Sequence, residues 1–167
     1  MKQTLKYILE KLIQMRKFAE EKHSITIALS SGVIVFSSYF ISSQRPEIIF
    51  TGASSIVFAL ISVLYSFLAL TARRVKVKDD TGIKKGNLID YKSVSKFGTD
   101  NYLECIKNFY NFPKTYKFDQ FDKDLAIQII STAIVVKAKF SYFNSALIFL
   151  AISVICGVAS ICIFAGF

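Results

Sequence analysis

The run SYFNSALIFLAISVICGVASICIFAGF, Ser141–Phe167, contains no Asp, Glu, Lys or Arg. As a helix it is long enough to cross the roughly 30 Å of bilayer hydrocarbon, which takes about 20 apolar residues. Two more such runs lie upstream, SITIALSSGVIVFSSYFISSQ (Ser24–Gln44) and IIFTGASSIVFALISVLYSFLALTA (Ile48–Ala72), and neither holds a charged side chain. A soluble domain that is 53% hydrophobic would interleave charges among its apolar residues, at a period near 3.6 or 2. Here all 21 Lys and Arg and all 12 Asp and Glu are kept out of the three runs. A single short segment in lipid satisfies its backbone hydrogen bonds only as a helix, so the sequence predicts three transmembrane helices.

The expected fold is therefore an all-α integral membrane protein. Residues 1–23 form a cytosolic amphipathic helix, and residues 24–72 a transmembrane hairpin with spans at about 25–43 and 48–72. Residues 73–140 form a cytosolic, basic, helix-containing segment, and residues 141–167 a third, C-terminal transmembrane helix. A cleaved leader is not expected, because the charged helix before the first span is too long for its basic region. Lys and Arg near a span stay cytoplasmic. Lys2, Lys6, Lys11, Arg16, Lys17 and Lys22 precede the first span, and Arg73, Arg74, Lys76 and Lys78 follow the second. That asymmetry puts the N-terminus inside, the Arg45–Pro46 turn outside, residues 73–140 inside and the C-terminus outside a bacterial inner membrane.

In the N-terminal helix Leu5, Ile8, Leu9, Leu12, Met15 and Ala19 recur at helical spacing with Lys and Glu opposite, the pattern of an amphipathic helix. It lies on the inner leaflet, packs on the cytosolic segment, or simply extends the first span inward. Within that segment Asp79-Asp80-Thr81-Gly82 has turn chemistry, and Gly86–Tyr91 alternates apolar and polar residues. Thr99-Asp100 reads as the cap of a helix carrying Tyr102, Leu103, Ile106 and Tyr110, which Pro113 closes. Asp119, Asp122 and Asp124 crowd the start of a last helix, where they suit the positive end of its dipole. No Pro or Gly interrupts that helix before Gly157, so it should run on into the third span.

No catalytic pattern stands out, and an enzyme is not expected. GxSxG, P-loop and HExxH sequences do not occur, and no cofactor or metal site is expected. The single histidine, His23, sits at a membrane boundary, and Cys105, Cys156 and Cys162 lack metal-ligand spacing. Carriers coupled to ions keep acids or bases at mid-membrane, which these spans do not. Small residues four apart, Ala28 with Gly32, Ser55 with Ala59 and Ser153 with Gly157, allow close helix approach either within one chain or between copies. Gly32, Ala59, Ser153 and Gly157 are the candidate packing positions, and a homo-oligomer is expected. Arg73, Arg74, Lys76, Lys78, Lys84 and Lys85 form a basic cluster suited to an anionic ligand or to the lipid of the inner membrane. The same residues are also those that set topology. No nucleic acid polymer is expected as a partner.

The order of elements resembles the membrane effectors of bacterial Pycsar antiphage systems. The likeness runs from Ala19-Glu20-Glu21-Lys22 before the first span, through Gly86-Asn87-Leu88-Ile89-Asp90-Tyr91 and Asp100-Asn101-Tyr102, to Asp124-Leu125-Ala126-Ile127-Gln128-Ile129 and Lys139-Phe140. Lys22, Asn87, Leu88, Tyr102, Asp124, Leu125, Gln128 and Lys139 are its motif positions here, and Asp90 stands where the family usually has an aromatic. The resemblance implies a protein of antiviral defence. A cyclase activated by phage produces a cyclic pyrimidine mononucleotide, and the effector then impairs the inner membrane. The residues by themselves leave two further classes open, a holin-like lesion former and a structural anchor recruiting a cytosolic partner.

Charge asymmetry makes the topology testable. A periplasm-dependent reporter fused after Phe167 should be active, and one inserted near Gly86 should be active only in a cytosolic format. Activity of the cytosolic format after Phe167 would overturn the three-span reading.

Overall fold

The computed structural model describes residues 1–43, 45–71, 87–113 and 115–165. Among these, every regular element is a helix: α1 Lys2–Ile41, α2 Pro46–Thr71, α3 Tyr91–Val94, α4 Thr99–Phe109 and α5 Gln120–Ala165. Three of them, α1, α2 and α5, are long and apolar enough to cross a membrane. At 1.5 Å per residue α1 is about 60 Å long and α5 about 69 Å, each roughly twice the hydrocarbon thickness. Both exceed a span because each contributes to two compact units. The first unit comprises Met1–Ala19 and Ala72–Lys139, and the second Glu20–Thr71 and Phe140–Phe167. The amphipathic helix and the first span are thus one helix, as are the acidic-capped helix and the third span.

The first unit has a conventional hydrophobic core. Leu5, Ile8 and Leu12 of α1 meet Tyr102, Leu103 and Ile106 of α4 and Leu125, Ile129, Ile130 and Ala133 of α5. Leu88, Val94 and Phe97, from the segment around α3, complete it. The helical periodicity read from residues 5–19 therefore packs against residues 88–133, where burial of each large aliphatic side chain contributes about 1.5–3 kcal/mol.

Local chemistry fixes the ends of these helices. The Asn87 carboxamide oxygen accepts the backbone N–H groups of Ile89 and Asp90, at 3.0 and 3.3 Å, so the alternating stretch turns instead of extending. Asp90 then caps α3, its carboxylate accepting the Ser93 N–H at 3.3 Å. Helix α4 departs from the expected cap. Its N-cap is Gly98, with no side-chain bond, and Thr99 and Asp100 already lie in the helix. Its end also comes before Pro113. The Phe112 N–H reaches the Lys107 carbonyl and the Asn111 N–H the Asn108 carbonyl, at 3.0 and 3.3 Å. Asn111 sits at φ 53°. This is a Schellman termination with asparagine in the left-handed position that glycine usually takes.

The second unit inverts the usual packing. The buried positions of α2 are Ile48, Gly52, Ser55, Ala59, Ser62, Ser66 and Ala69, spaced alternately by four and three. Those of α5 within this unit, Ala146, Leu150, Ser153, Gly157 and Ser160, keep the same spacing. A repeat of 3.5 residues winds helices into a left-handed supercoil. Small residues hold the seam, while Phe50, Val57, Leu60, Leu64 and Phe67 face outward. Between lipid-solvated helices there is no hydrophobic driving force, so close approach and hydroxyl bonds supply the cohesion.

The glycines divide accordingly. A Cβ on Gly157 would stand 3.4 Å from the Ser55 hydroxyl and 3.7 Å from that of Ser37, whereas one on Gly32 would meet nothing within 4 Å. The Ser153–Gly157 pair is thus used inside one chain. Gly157→Leu should destabilise the folded monomer by about 1–3 kcal/mol through overpacking. Gly32→Leu should leave stability unchanged or raise it, since surface changes fall within about 0.5 kcal/mol and leucine is the better helix former. Unfolding of both variants in detergent measures the contrast, and equal losses would contradict the packing described.

Candidate functional site

In the first unit the polar chemistry gathers where α5 begins. The Asp119 carboxylate accepts the Asp122 N–H at 2.8 Å, and the Asp122 carboxylate accepts the Asp119 N–H at 3.3 Å. This reciprocal arrangement is a capping box built from two aspartates. Asp122 is fully buried, and the same oxygen takes the Tyr116 hydroxyl at 2.8 Å. That bond pushes the Tyr116 phenol up to about 12. Lys2, in the first turn of α1, pairs with Asp119 at 2.6 Å. The hydrogen bond from Lys2 holds the Asp119 carboxyl below its ordinary range, and the bond from Asp119 raises Lys2. Lys107 of α4 donates to the Tyr116 carbonyl at 2.9 Å, tying Tyr116 to the α4 side of the core.

Several of the motif positions pack into this fold. Tyr102 is buried and donates its hydroxyl to the Leu88 carbonyl at 3.0 Å, and burial pushes its phenol well above the ordinary value. Leu88 and Leu125 lie in the same core. Asp124 and Gln128 are exposed on α5, where Gln120 donates to Asp124 at 3.0 Å. Lys139 is buried. In the second unit the Lys22 ammonium stands 5.9 Å from the Phe140 ring centroid and 5.1 Å from that of Phe143. His23 packs edge-on against Phe143 as well. The basic cluster Arg73, Arg74, Lys76, Lys78, Lys84 and Lys85 lies outside the described residues.

The second unit carries groups of bonded hydroxyls at heptad intervals along its seam of small residues. Ser55 donates to the Ser153 carbonyl at 2.8 Å, and Ser153 returns a bond to the Ser55 carbonyl at 2.6 Å. Ser37 shares a hydrogen bond of 2.8 Å with Ser55. One heptad along, Ser30 bonds Ser62 at 3.2 Å and Ser62 donates to the Ala146 carbonyl at 2.8 Å. At the other end Ser160 donates to the Thr51 hydroxyl at 2.8 Å. Such bonds average about 0.6 kcal/mol in membrane proteins, so the three helices are held by modest terms. Arg45 closes the hairpin side, its guanidinium reaching the Ile163 carbonyl of α5 at 3.4 Å.

No group of three His, Cys, Asp or Glu side chains gathers to hold a metal among the described residues. A cleft bordered by Tyr39, Phe40, Ser42, Ser43 and Phe164 measures about 210 Å³, below the roughly 300–1,000 Å³ of small-molecule sites. What this architecture can do is join a packed helical unit to three apolar helices through α1 and α5.

The family model described as the Pycsar effector protein domain matches residues 4–166, nearly the whole chain. The chain belongs to the Pycsar effector family. No curated protein and no solved structure matches it. The match takes in both units, the three membrane-length helices included. Sequence reasoning singled out Ser153 and Gly157 but passed over Ser30, Ser37, Ser62 and Ser160. The signal was there in the seven-residue recurrence of 146, 153 and 160 and of 55 and 62. It likewise assigned Asp119 and Asp122 to the helix dipole alone, although a polar pair three residues apart at a helix start also spells a capping box.

The Asp119 shift gives the effector a pH signature. A carboxyl held low in the folded state adds stability that is present above its unfolded value, near 3.9, and is lost as pH falls through the folded value. Thermal melts followed by circular dichroism in detergent should therefore be flat from neutral pH down to about 4 and fall below it. Asp119→Asn keeps a capping side chain, removes the titration, and should flatten that acid limb. An acid limb as steep as the parent's would show that the pair carries none of it.

Proposed function

We propose that this chain is a signal-gated membrane effector of bacterial antiphage defence. A cyclic pyrimidine mononucleotide made on infection is sensed on the cytosolic side by residues 73–140 with the N-terminal helix. The response impairs the inner membrane and arrests or kills the cell. The basic cluster from Arg73 to Lys85 supplies the charge for a nucleotide phosphate or for anionic lipid, and several copies act together. The observation that carries this reading is that α5 is one uninterrupted helix belonging to both units, within a chain of the Pycsar effector family. A binding event can shift a membrane element only through a physical element with two arrangements, and α5 and α1 are the elements common to both.

Breaking α5 tests the coupling. Ala133 is buried in the first core, so a proline there would damage the unit as well as the helix. Ser141 is exposed and lies just past the first unit. Ser141→Pro removes one backbone donor and clashes with the preceding turn, costing about 3 kcal/mol locally, while leaving the third span long enough to insert. The variant should reach the membrane at parental abundance, bind the nucleotide, and fail to depolarise cells in which the cyclase is active. Full depolarisation would remove α5 as the coupling element. Killing by the parent on expression alone would favour a holin-like lesion former.

A further inference from the structure

The hydroxyls of the second unit fall into two sets. Those facing outward bond their own helix: Ser24 to the Glu20 carbonyl, Ser31 to Ile27, Ser38 to Val35 and Ser54 to Phe50. Nothing is left on them to offer a neighbour or water except a lone pair. Those facing inward bond across helices, through Ser30, Ser37, Ser55, Ser62, Ser153 and Ser160, with the exception of buried Thr26, which bonds the Lys22 carbonyl of its own helix at 2.9 Å. From Thr51 to Ser66 this inward set covers about 22 Å along α2, most of the hydrocarbon thickness. Beyond the last cross-helix bond, Ser66 is fully buried and its hydroxyl has no hydrogen-bond partner among the described residues. A lone hydroxyl in that position carries the polar line of the seam one turn past its last cross-helix bond, and leaving it unpaired and buried is costly.

We propose that this hydroxyl seam is a closed polar route, and that activation parts it so that the same side chains line a passage for water and small ions. The inference rests on the membrane-impairing reading above and adds which atoms would do the work. A water-filled path needs polar lining along its length. The outward faces are poorer in it: α2 shows Phe50, Val57, Leu60 and Leu64 and α5 Ile148 and Ile155, and the outward serines of α1 stand among Ile25, Leu29, Val35 and Phe36 with their donors spent on their own helix. The seam can supply it, and parting it is energetically light. Its side chains are small, so no interlocked core is undone, and each cross-helix hydroxyl bond is exchanged for one to water. Opening any other face to water would instead wet large apolar side chains. Each copy in an assembly would present its own seam to the common passage.

The test uses full-length chain in inside-out membrane vesicles, with Cys105, Cys156 and Cys162 replaced by alanine and with cyclic CMP and cyclic UMP as probes. Ser62→Cys reports on the seam, and Leu64→Cys, at a position 58% exposed on the lipid side, is its control. On nucleotide addition a membrane-impermeant cationic thiol reagent should label Ser62→Cys at least an order of magnitude faster, with no change at Leu64→Cys. A second variant pairs Ser55→Cys with Ser153→Cys, whose parent hydroxyls are 3.3 Å apart. Oxidised, it should keep the membrane potential in the presence of nucleotide, and a reductant should restore depolarisation. If the cross-linked protein depolarises as fully as the reduced one, or Ser62→Cys stays unlabelled in vesicles that depolarise, the seam is not the route and the effector reading stands. If parent vesicles keep their potential with both nucleotides, the effector reading falls and the seam proposal with it.

Discussion

Between helices that lipid already solvates, apolar side chains gain nothing by touching one another. The second unit answers this by reversing which residues go inside. Serine, alanine and glycine occupy the seven-residue seam, so the backbones come close enough for hydroxyls to bond across, and the leucines and phenylalanines are left for the bilayer. The rest of the chain follows from that inversion. A core made of small groups and hydrogen bonds is specific in register, because a one-residue slip would set Leu60 or Phe67 where Ala59 or Ser66 now sits. It is also weakly held, because each bond is small.

The first unit obeys the opposite rule. There burial of Leu5, Leu12, Leu103, Ile129 and their neighbours in a core of large side chains supplies the cohesion. The cap of α5 and the Tyr102 hydroxyl on the Leu88 carbonyl settle polar groups that this core would otherwise leave unpaired. One chain thus carries two cores of different physics, and α1 and α5 take part in both. A perturbation that stabilises one core need not touch the other. The stabilities of the two cores are thereby open to separate adjustment.

How much of this the sequence disclosed depended on whether the signal was local. The charge-free runs gave the three membrane helices, and the apolar period over residues 5–19 gave the helix now packed against residues 88–133. The absence of Pro and Gly before Gly157 gave α5 its continuity. What went unread was tertiary. Thr99 and Asp100 look like caps, but the backbone enters the helix at Gly98, so they fall inside it. Asn111 takes the glycine position of a Schellman turn, a choice that composition alone does not mark. The cross-helix bonds of Ser30, Ser37 and Ser62 could not be told from the self-bonded Ser24, Ser31 and Ser54 by residue type, since serine does both. The motif positions were legible as a pattern, and for four of them the structure adds a packing or turn part: Leu88, Tyr102 and Leu125 build a core, and Asn87 makes a turn.

The inverted packing also dictates how such a protein can change over generations. Outward positions such as Val35, Phe50, Leu64 and Ile155 need only remain apolar, so they are free to interchange among large side chains. Gly157 and Ser153 are confined by the atoms of Ser55 and Ser37. Lineages should therefore drift fastest in their bulkiest membrane residues and slowest in their smallest, the reverse of what a water-soluble core imposes. Kinship among such chains is then best sought in the rhythm of their glycines, alanines and serines.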